Sequence, residues 1–269
     1  MKKRRLFVIS SLIFFLFVGV TTSVLAKKKV LIYTKNGKGF VHDNIANSVK
    51  VITQLCVNNN IEVYATDDPA HFTEQNLKQY SALIFSNTNN KTFDTDEQKL
   101  ALQRYIQAGG SFVGVHIASG SERDWPWFSK MVGGRFKRHP KRQDFDVRVL
   151  DKNHLSTNFL PDPYRREMDE CYYLDNLNPD MHVLLAADLT TVEDEKMQEY
   201  PANTFGKYFP LAWCHDFDGG HQWYSALGHS IEHYDDPVFQ MHLLGGILWA
   251  INKRPKLDYS KAKAKLVID

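Results

Sequence analysis

The chain has 269 residues, 43% of them hydrophobic, which is enough to build a full core and unlike the composition of a disordered chain. Its 33 lysines and arginines balance 31 aspartates and glutamates with no basic stripe, which argues against nucleic-acid binding. Cys56, Cys171 and Cys214 are odd in number and lack a CxxC spacing, so neither a disulfide framework nor a structural zinc site is indicated.

The chain opens on a basic start, Lys2, Lys3, Arg4 and Arg5, then an apolar run from Leu6 to Val20 and the small-residue pattern Val24-Leu25-Ala26. This order is that of a secretory signal peptide in residues 1–26, and it implies an exported bacterial protein, periplasmic or secreted. An uncleaved anchor helix is the alternative, but the apolar run is near the lower limit for spanning a bilayer. No cysteine follows the run, which argues against a lipoprotein. Cleavage would remove four basic residues and no acidic one, taking the formal charge from +2 to −2 and leaving residues 27–269 without a stable membrane anchor.

Lys28 to Thr34 reads as a first strand, short and rich in β-branched residues, leading into the loop KNGKGFVHDN. Ile45, Val49, Ile52 and Cys56 recur at helical spacing, and the polar run Asn58 to Asn60 ends that helix. Ile61 to Ala65 and Ser81 to Ser86 read as the second and third strands, with Thr73 capping a short helix through Tyr80 between them. Thr95 and Gln98 form a capping-box pattern for a helix whose buried face is Leu102, Tyr105 and Ile106 and which runs to Ala108. Gly109-Gly110 then suit a left-handed turn, and SFVGVH reads as a buried strand ending on His116. This alternation predicts a parallel sheet with helices on both faces. His116 falls at the carboxyl end of its strand, the side of such a sheet that faces the ligand crevice.

Trp125, Pro126, Trp127 and Phe128 follow, then Arg135, Lys137, Arg138 and His139. Flat apolar faces beside cationic donors suit a sugar ring or an enolate; a packed tryptophan loop against a core strand is the plainer reading. Phe145, Val147 and Val149, then Val183 to Ala186, Leu211 to Cys214 and Gln222 to Leu227, read as additional or antiparallel strands extending the sheet. Tyr172 and Tyr173 alternate on a strand, so one faces the core and the other is free to stack on a sugar, and Trp213 carries the same ambiguity. Gly206 to Pro210 and Asp216 to Gly220 read as turns. Asp235-Asp236 put negative charge at the start of a last helix, opened by Pro237, with Val238, Met241, Leu244, Leu248 and Ile251 on its apolar face and its end near Lys253. The lysine-rich tail from Lys253 to Lys265 reads as a solvated end. There is no internal repeat and no linker, so residues 27–269 are taken as a single domain.

An ordered set of blocks resembles the ThuA-like, or trehalose utilisation, family: GFVHD at Gly39 to Asp43, GGSFVGVH at Gly109 to His116, WPWF at Trp125 to Phe128, FKRHPKRQ at Phe136 to Gln143, MDECYY at Met168 to Tyr173, FPLAW at Phe209 to Trp213 and YSALGH at Tyr224 to His229. The resemblance implies an α/β fold similar to class I glutamine amidotransferases, a flavodoxin-like three-layer sandwich with a mainly parallel sheet and extra strands in the C-terminal half. Amidotransferases of that fold carry a cysteine nucleophile where this chain has His116, and none of its three cysteines lies near in sequence, so thiol amidotransfer is not expected. There is no GxSxG elbow either. Two blocks depart from the family pattern: HLST at His154 to Thr157 replaces HP followed by a small residue and Thr, and His221-Gln222 stand after Gly219-Gly220 where an arginine is common.

The family blocks contain His42, His116, His139 and His229, with Asp169-Glu170 between them, all in loops or at strand ends. An imidazole serves as a general base near neutral pH or as a neutral ligand to a divalent metal, and a carboxylate can orient it. There is no HExxH or HxH, so a divalent ion held by His42, His116, His139 and His229 depends on long-range folding. The remaining histidines have weaker claims; His242 lies within an apolar helix and reads as a packing residue. With the family's link to trehalose and 3-keto-sugar catabolism, the resemblance implies a lyase, hydrolase or isomerase acting on a small carbohydrate, a glycoside or 3-keto-glycoside. In that reading His116 is the base, His42 or His139 the acid, Asp169 or Glu170 the orienting carboxylate, and Arg138 or a metal stabilises the enolate. Trp125, Trp127, Gln143, Tyr172, Tyr173, Trp213 and His229 would complete the sugar site, although His229 also reads as a residue at the approach to the last helix. The alternative is a non-catalytic sugar-binding module on the same fold. No sequence feature specifies an oligomer.

Overall fold

The computed structural model describes residues 27–196, 206–252 and 256–266. The signal-peptide segment, the expected helix end at Lys253 and the first residues of the lysine-rich tail lie outside the described residues.

The short apolar runs of the first half become parallel strands: the inner three are buried on both faces, while the second strand in sequence lies at the sheet edge and stays largely exposed. β1 (Lys29–Tyr33), β2 (Glu62–Thr66), β3 (Ala82–Ser86) and β4 (Ser111–Val115) are joined by α1 (Ile45–Asn58), the short α2 (Glu74–Leu77) and α3 (Asp96–Gln107). Thr95 and Gln98 make both bonds of the capping box that opens α3, and Gly109 closes that helix at a φ of 96°. Every side chain of β3 and β4 is buried, which is why these segments read as continuous hydrophobic runs.

Next in sequence come α4 (Pro126–Val132), β5 (Arg135–Arg138), β6 (Gln143–Val149), β7 (Tyr164–Asp169) and β8 (Tyr173–Asp175). β9 (His182–Asp188), β10 (Tyr208–Phe217), β11 (Gly220–Ser225) and α5 (Pro237–Asn252) complete the chain. The main sheet has nine strands in the order β2-β1-β3-β4-β11-β10-β9-β6-β7, and β5 pairs with β8 in a separate ribbon. From β2 to β11 every pairing is parallel; from β11 to β7 every pairing is antiparallel. β11 belongs to the last part of the sequence, yet it lies beside β4 and joins the two halves of the sheet.

Helices α1 and α5 pack on each other and cover one face, while α3 and α4 cover the other, giving three layers. Phe85, Phe112 and Phe128 meet edge-on or tilted between the sheet and α4. The face that α5 buries differs from the expected one. Phe239, His242, Leu243, Gly246 and Ile247 point inward; of the expected residues Ile251 is buried, Val238, Leu244 and Leu248 are half-buried, and Met241 is 45% exposed. The reason is close approach: a Cβ on Gly246 would lie 2.3 Å from the Trp223 ring, so the small residues of α5, not its bulky ones, set where it touches β11. The stretch expected as a turn from Gly206 to Pro210 is a turn only at its start, since β10 begins at Tyr208.

In the parallel part, β1 connects outward to β2 and β3 connects the other way to β4, so the crevice opens beyond the carboxyl ends of β1, β3 and β4.

Candidate metal centre

His116 follows β4 at a φ of 53°, a left-handed conformation that ends the strand abruptly at the crevice. Tyr224 of β11 fixes the turn by donating its hydroxyl to the His116 carbonyl at 2.7 Å. The His116 Nδ1 donates to the Ala226 carbonyl at 2.8 Å, which leaves the lone pair on Nε2. Around that nitrogen stand His42 Nε2 at 3.1 Å, the Tyr172 hydroxyl at 2.7 Å and Glu170 Oε2 at 3.6 Å. His229 Nδ1 is 3.1 Å from the same Glu170 oxygen, and His139 Nε2 is 3.3 Å from Oε1. One donor atom from each of His42, His116, His229 and Glu170 falls within 4.8 Å of every other.

Three distant segments are tied together to achieve this. His42 lies in the loop after β1, and the neighbouring Asn44 amide donates to the carbonyls of Gly228 and His229 at 2.9 and 2.6 Å. Asp169, fully buried at the end of β7, accepts from Arg166 Nη2 at 2.8 Å and from the backbone N–H groups of Glu170, Gly228 and His229 at 2.9, 3.1 and 3.2 Å. It therefore clamps the backbone of two of the four donors at once. Gly228 takes a φ of 107°, and a Cβ there would lie 2.7 Å from Phe239, so this turn requires glycine.

Burial holds the imidazoles neutral: it pushes His42 down to about 4, with His229 adding to the effect, and His116 down to about 3, with His42 adding. Burial works the other way on Glu170, but the imidazoles of His229, His116 and His139 outweigh it and keep the carboxyl below its ordinary range. Burial likewise opposes ionisation of Asp169, and the Arg166 guanidinium overcomes it. Burial together with Glu170 raises Tyr172 well above the usual phenol value, so its hydroxyl stays protonated.

Three imidazoles beside a carboxylate are the donor set of a first-row divalent ion rather than of calcium or magnesium. Tetrahedral zinc bonds of 2.0–2.1 Å place ligand atoms about 3.4 Å apart; three of the six donor spacings, 3.1, 3.6 and 3.1 Å, straddle that figure, and all six lie within 4.8 Å, so the set would close slightly around an ion. The Nδ1 of His229 is buried and, although close to Glu170, is not aligned for a hydrogen bond. A nitrogen left this way fits a ligand better than a structural donor.

His42, Glu170 and His229 line a cleft of about 990 Å³, together with Phe40, Ile117, Arg123, Phe136, His139, Arg142 and Tyr172, and His116 lies fully buried behind them. Of the residues singled out in the sequence, His42, His139, Glu170, Tyr172 and His229 meet at this cleft, with His116 and Asp169 buried directly beneath. The others do not line the cleft. Trp125 packs on Phe93, Phe128 and Trp127, and Trp127 donates to Asp218 at the opposite end of the sheet. Arg138 is paired with Asp194 and lies over the Tyr173 ring, Gln143 bonds the backbone of Glu193, and Trp213 is buried with its indole N–H on the Val132 carbonyl. Arg138 is thus committed to a carboxylate and is not available to an enolate. Sequence reasoning missed Arg123, Arg142 and the clamp formed by Arg166 and Asn44. Six of the eight described arginines pair with carboxylates, so no residue-type signal marked the two that do not.

The layered sheet with a histidine at the β4 turn defines a three-layer α/β sandwich protein whose crevice lacks a nucleophilic cysteine: Cys56, Cys171 and Cys214 are all buried and none lines the cleft. The family model for ThuA, trehalose utilisation, matches residues 29–250, and the chain belongs to that family. A putative ThuA-like protein from Bacteroides uniformis superposes with a TM-score of 0.69 at 22% identity, over 90% of this chain and 99% of its own. One from Parabacteroides merdae gives 0.64 at 20%, over 86% and 92%. The β-galactosidase from Rahnella sp. R3 is similar over 84% of this chain but only 31% of its own, with a TM-score of 0.53 and 14% identity. At these identities the structural likenesses speak to the fold. A comparison with curated protein sequences finds no match.

Proposed function

We propose that this chain is a metal-dependent enzyme of carbohydrate breakdown that acts, after export, on a glycoside or 3-keto-glycoside by lyase, hydrolase or isomerase chemistry. The observation that carries the reading is the convergence of His42, His116, His229 and Glu170, three of which line the floor of a sugar-sized cleft. The family's description as trehalose utilisation supports the substrate class, and the basic and apolar N-terminal segment supports export. A divalent ion at this site supplies Lewis-acid polarisation of a sugar oxygen.

In a 3-keto-glycoside the ketone acidifies the C2 hydrogen, a base removes it, and the C1 substituent leaves. His116 is too deeply buried and too weakly basic for that task and serves as a ligand. His139 takes the proton-transfer role. It is exposed, its Nδ1 donates to the Pro140 carbonyl at 2.7 Å, and its Nε2 faces Glu170. The protonated Tyr172 hydroxyl is a hydrogen-bond donor beside it for developing negative charge.

The test is turnover of 3-keto-trehalose and 3-keto-glucosides by protein stripped with chelator and reloaded with zinc, manganese or magnesium. Expected are activity lost on stripping and regained with a transition metal, and a His139→Ala protein that keeps its ion but loses at least about 100-fold in rate. Full turnover by metal-free protein contradicts the reading. Sugar binding without turnover under every loading favours the binding module instead.

A further inference from the structure

Eight arginines lie among the described residues, and six of them have a carboxylate oxygen within 4.0 Å. The two that do not, Arg123 and Arg142, both line the cleft that holds the histidine and glutamate cluster. Arg123 is partly buried and its guanidinium makes only neutral contacts: Nη1 donates to the Phe136 carbonyl at 3.3 Å, Nη2 donates to Asn89 Oδ1 at 3.2 Å, and the Phe136 ring lies 5.4 Å away. That ring in turn packs on Tyr172 at 4.5 Å, which places Arg123 one aromatic layer from the donor cluster. Arg142 donates to Ser230 Oγ at 3.3 Å, next in sequence to His229. The carboxylate nearest the chemistry, Glu170, faces three imidazole nitrogens at 3.1–3.6 Å and neither arginine.

A partly desolvated guanidinium without a counter-charge is costly in a finished structure, whereas one that meets its anion in the bound state gains a charge-assisted, often bidentate, interaction. We propose that the substrate is an anionic sugar, whose carboxylate or phosphate is bound by Arg123 and Arg142 while its ring lies toward the metal centre. The proposal rests on the reading of the cleft as a metal-dependent sugar site and narrows its substrate class. Phe40, 65% exposed at the rim, offers the ring an apolar face.

Calorimetric titration of metal-loaded protein with glucose, glucuronate and glucose 6-phosphate tests it, with bound metal counted separately on the same samples. The expectation is binding of glucuronate, glucose 6-phosphate or both at least about tenfold tighter than glucose, reduced at least about tenfold in Arg123→Gln and in Arg142→Gln. Preference for one anion identifies the group as carboxylate or phosphate, and either preference supports the proposal. Arg142 is exposed and makes one side-chain bond, so its variant remains informative if the Arg123 variant does not fold. Equal or tighter binding of glucose, anion binding that survives the Arg142 substitution, or no binding of any of the three overturns the anionic-sugar proposal. Metal content tells this failure apart from failure of the metal site, since loss of the ion in the wild-type protein would strike the underlying reading first.

Discussion

Asp169 and Glu170 are neighbours in sequence with different duties. Glu170 turns its carboxylate to the imidazoles, and Asp169 turns its own inward to Arg166 and to three backbone N–H groups. Replacing Asp169 by Asn leaves the buried Arg166 with only the more distant Asp236 carboxylate, at 3.7 Å, so a loss of about 3 kcal/mol of stability, the lower end for a broken buried pair, is expected. Through the displaced backbone of Glu170 and His229, metal affinity should fall about 10–100-fold. Urea denaturation reads the first effect, and metal titration of the folded protein the second. A variant within about 1 kcal/mol of wild type that binds metal normally would show that the clamp does not position the ligands. Glu170→Gln, by contrast, removes an anionic ligand from a scaffold that stays intact, so metal binding should weaken sharply with little change in metal-free stability. Unfolding of the metal-free Glu170→Gln protein at markedly lower urea would contradict that division of labour.

Among the elements, α5 sits where its glycines allow. An exposed helical glycine exchanged for alanine ordinarily gains about 1 kcal/mol. At Gly246 the sign should reverse, with a loss of about 1–3 kcal/mol, because the new methyl would run into Trp223. Thermal or urea unfolding of Gly246→Ala decides it, and a stabilised variant would mean that α5 has slack against β11. The same helix shows what local pattern can and cannot reveal. The inner parallel strands β1, β3 and β4 were legible because both faces are buried, and Thr95 with Gln98 announced α3 directly. The inward face of α5 was misread because every side of the helix is apolar, so periodicity carries no direction. β7 was missed for the opposite reason: Tyr-Arg-Arg-Glu-Met-Asp buries an arginine and an aspartate against each other, which no hydrophobic alternation reports. β5, Arg-Phe-Lys-Arg, is a short ribbon strand with three cations and gives no signal of its own.

For the molecule as a whole, the buried neutral histidines set how stability varies with pH. His242, like His42, is pushed from its ordinary value near 6.5 down to about 4, chiefly by burial. The unfolded chain therefore binds more protons than the folded one between these values. This contribution is complete above about pH 6.5 and is lost as pH falls toward 4, at a cost on the order of 3 kcal/mol for such a group. Metal-free protein should lose stability steadily from pH 7 to pH 4.5 in urea titrations, and His242→Gln should remove about one proton from the uptake on unfolding. A wild-type profile that stays flat over this range, or a His242→Gln profile as steep as the wild type, would contradict the assignment. His242 gives its Nδ1–H to the Ser156 carbonyl and receives the Ser225 hydroxyl, the satisfied packing role expected of it.

Sheet topology also explains the limits of the site reading. His42, His116, Glu170 and His229 were visible as residue types, but their meeting depends on β11 returning to lie beside β4 and on Asn44 and Asp169 bridging the loops. Trp125 and Trp127 stand close to His116 in sequence yet pack away from the cleft, because α4 runs back over the face of the sheet toward Phe217 and Asp218. The central claim is that the four donors form one metal centre. Crystals of the protein grown with zinc, measured above and below the zinc absorption edge, test it most directly. The account predicts a single strong anomalous peak bounded by His42, His116, His229 and Glu170, and absent in Glu170→Gln; zinc found only at the surface, with these four side chains hydrogen-bonded to one another, would contradict it.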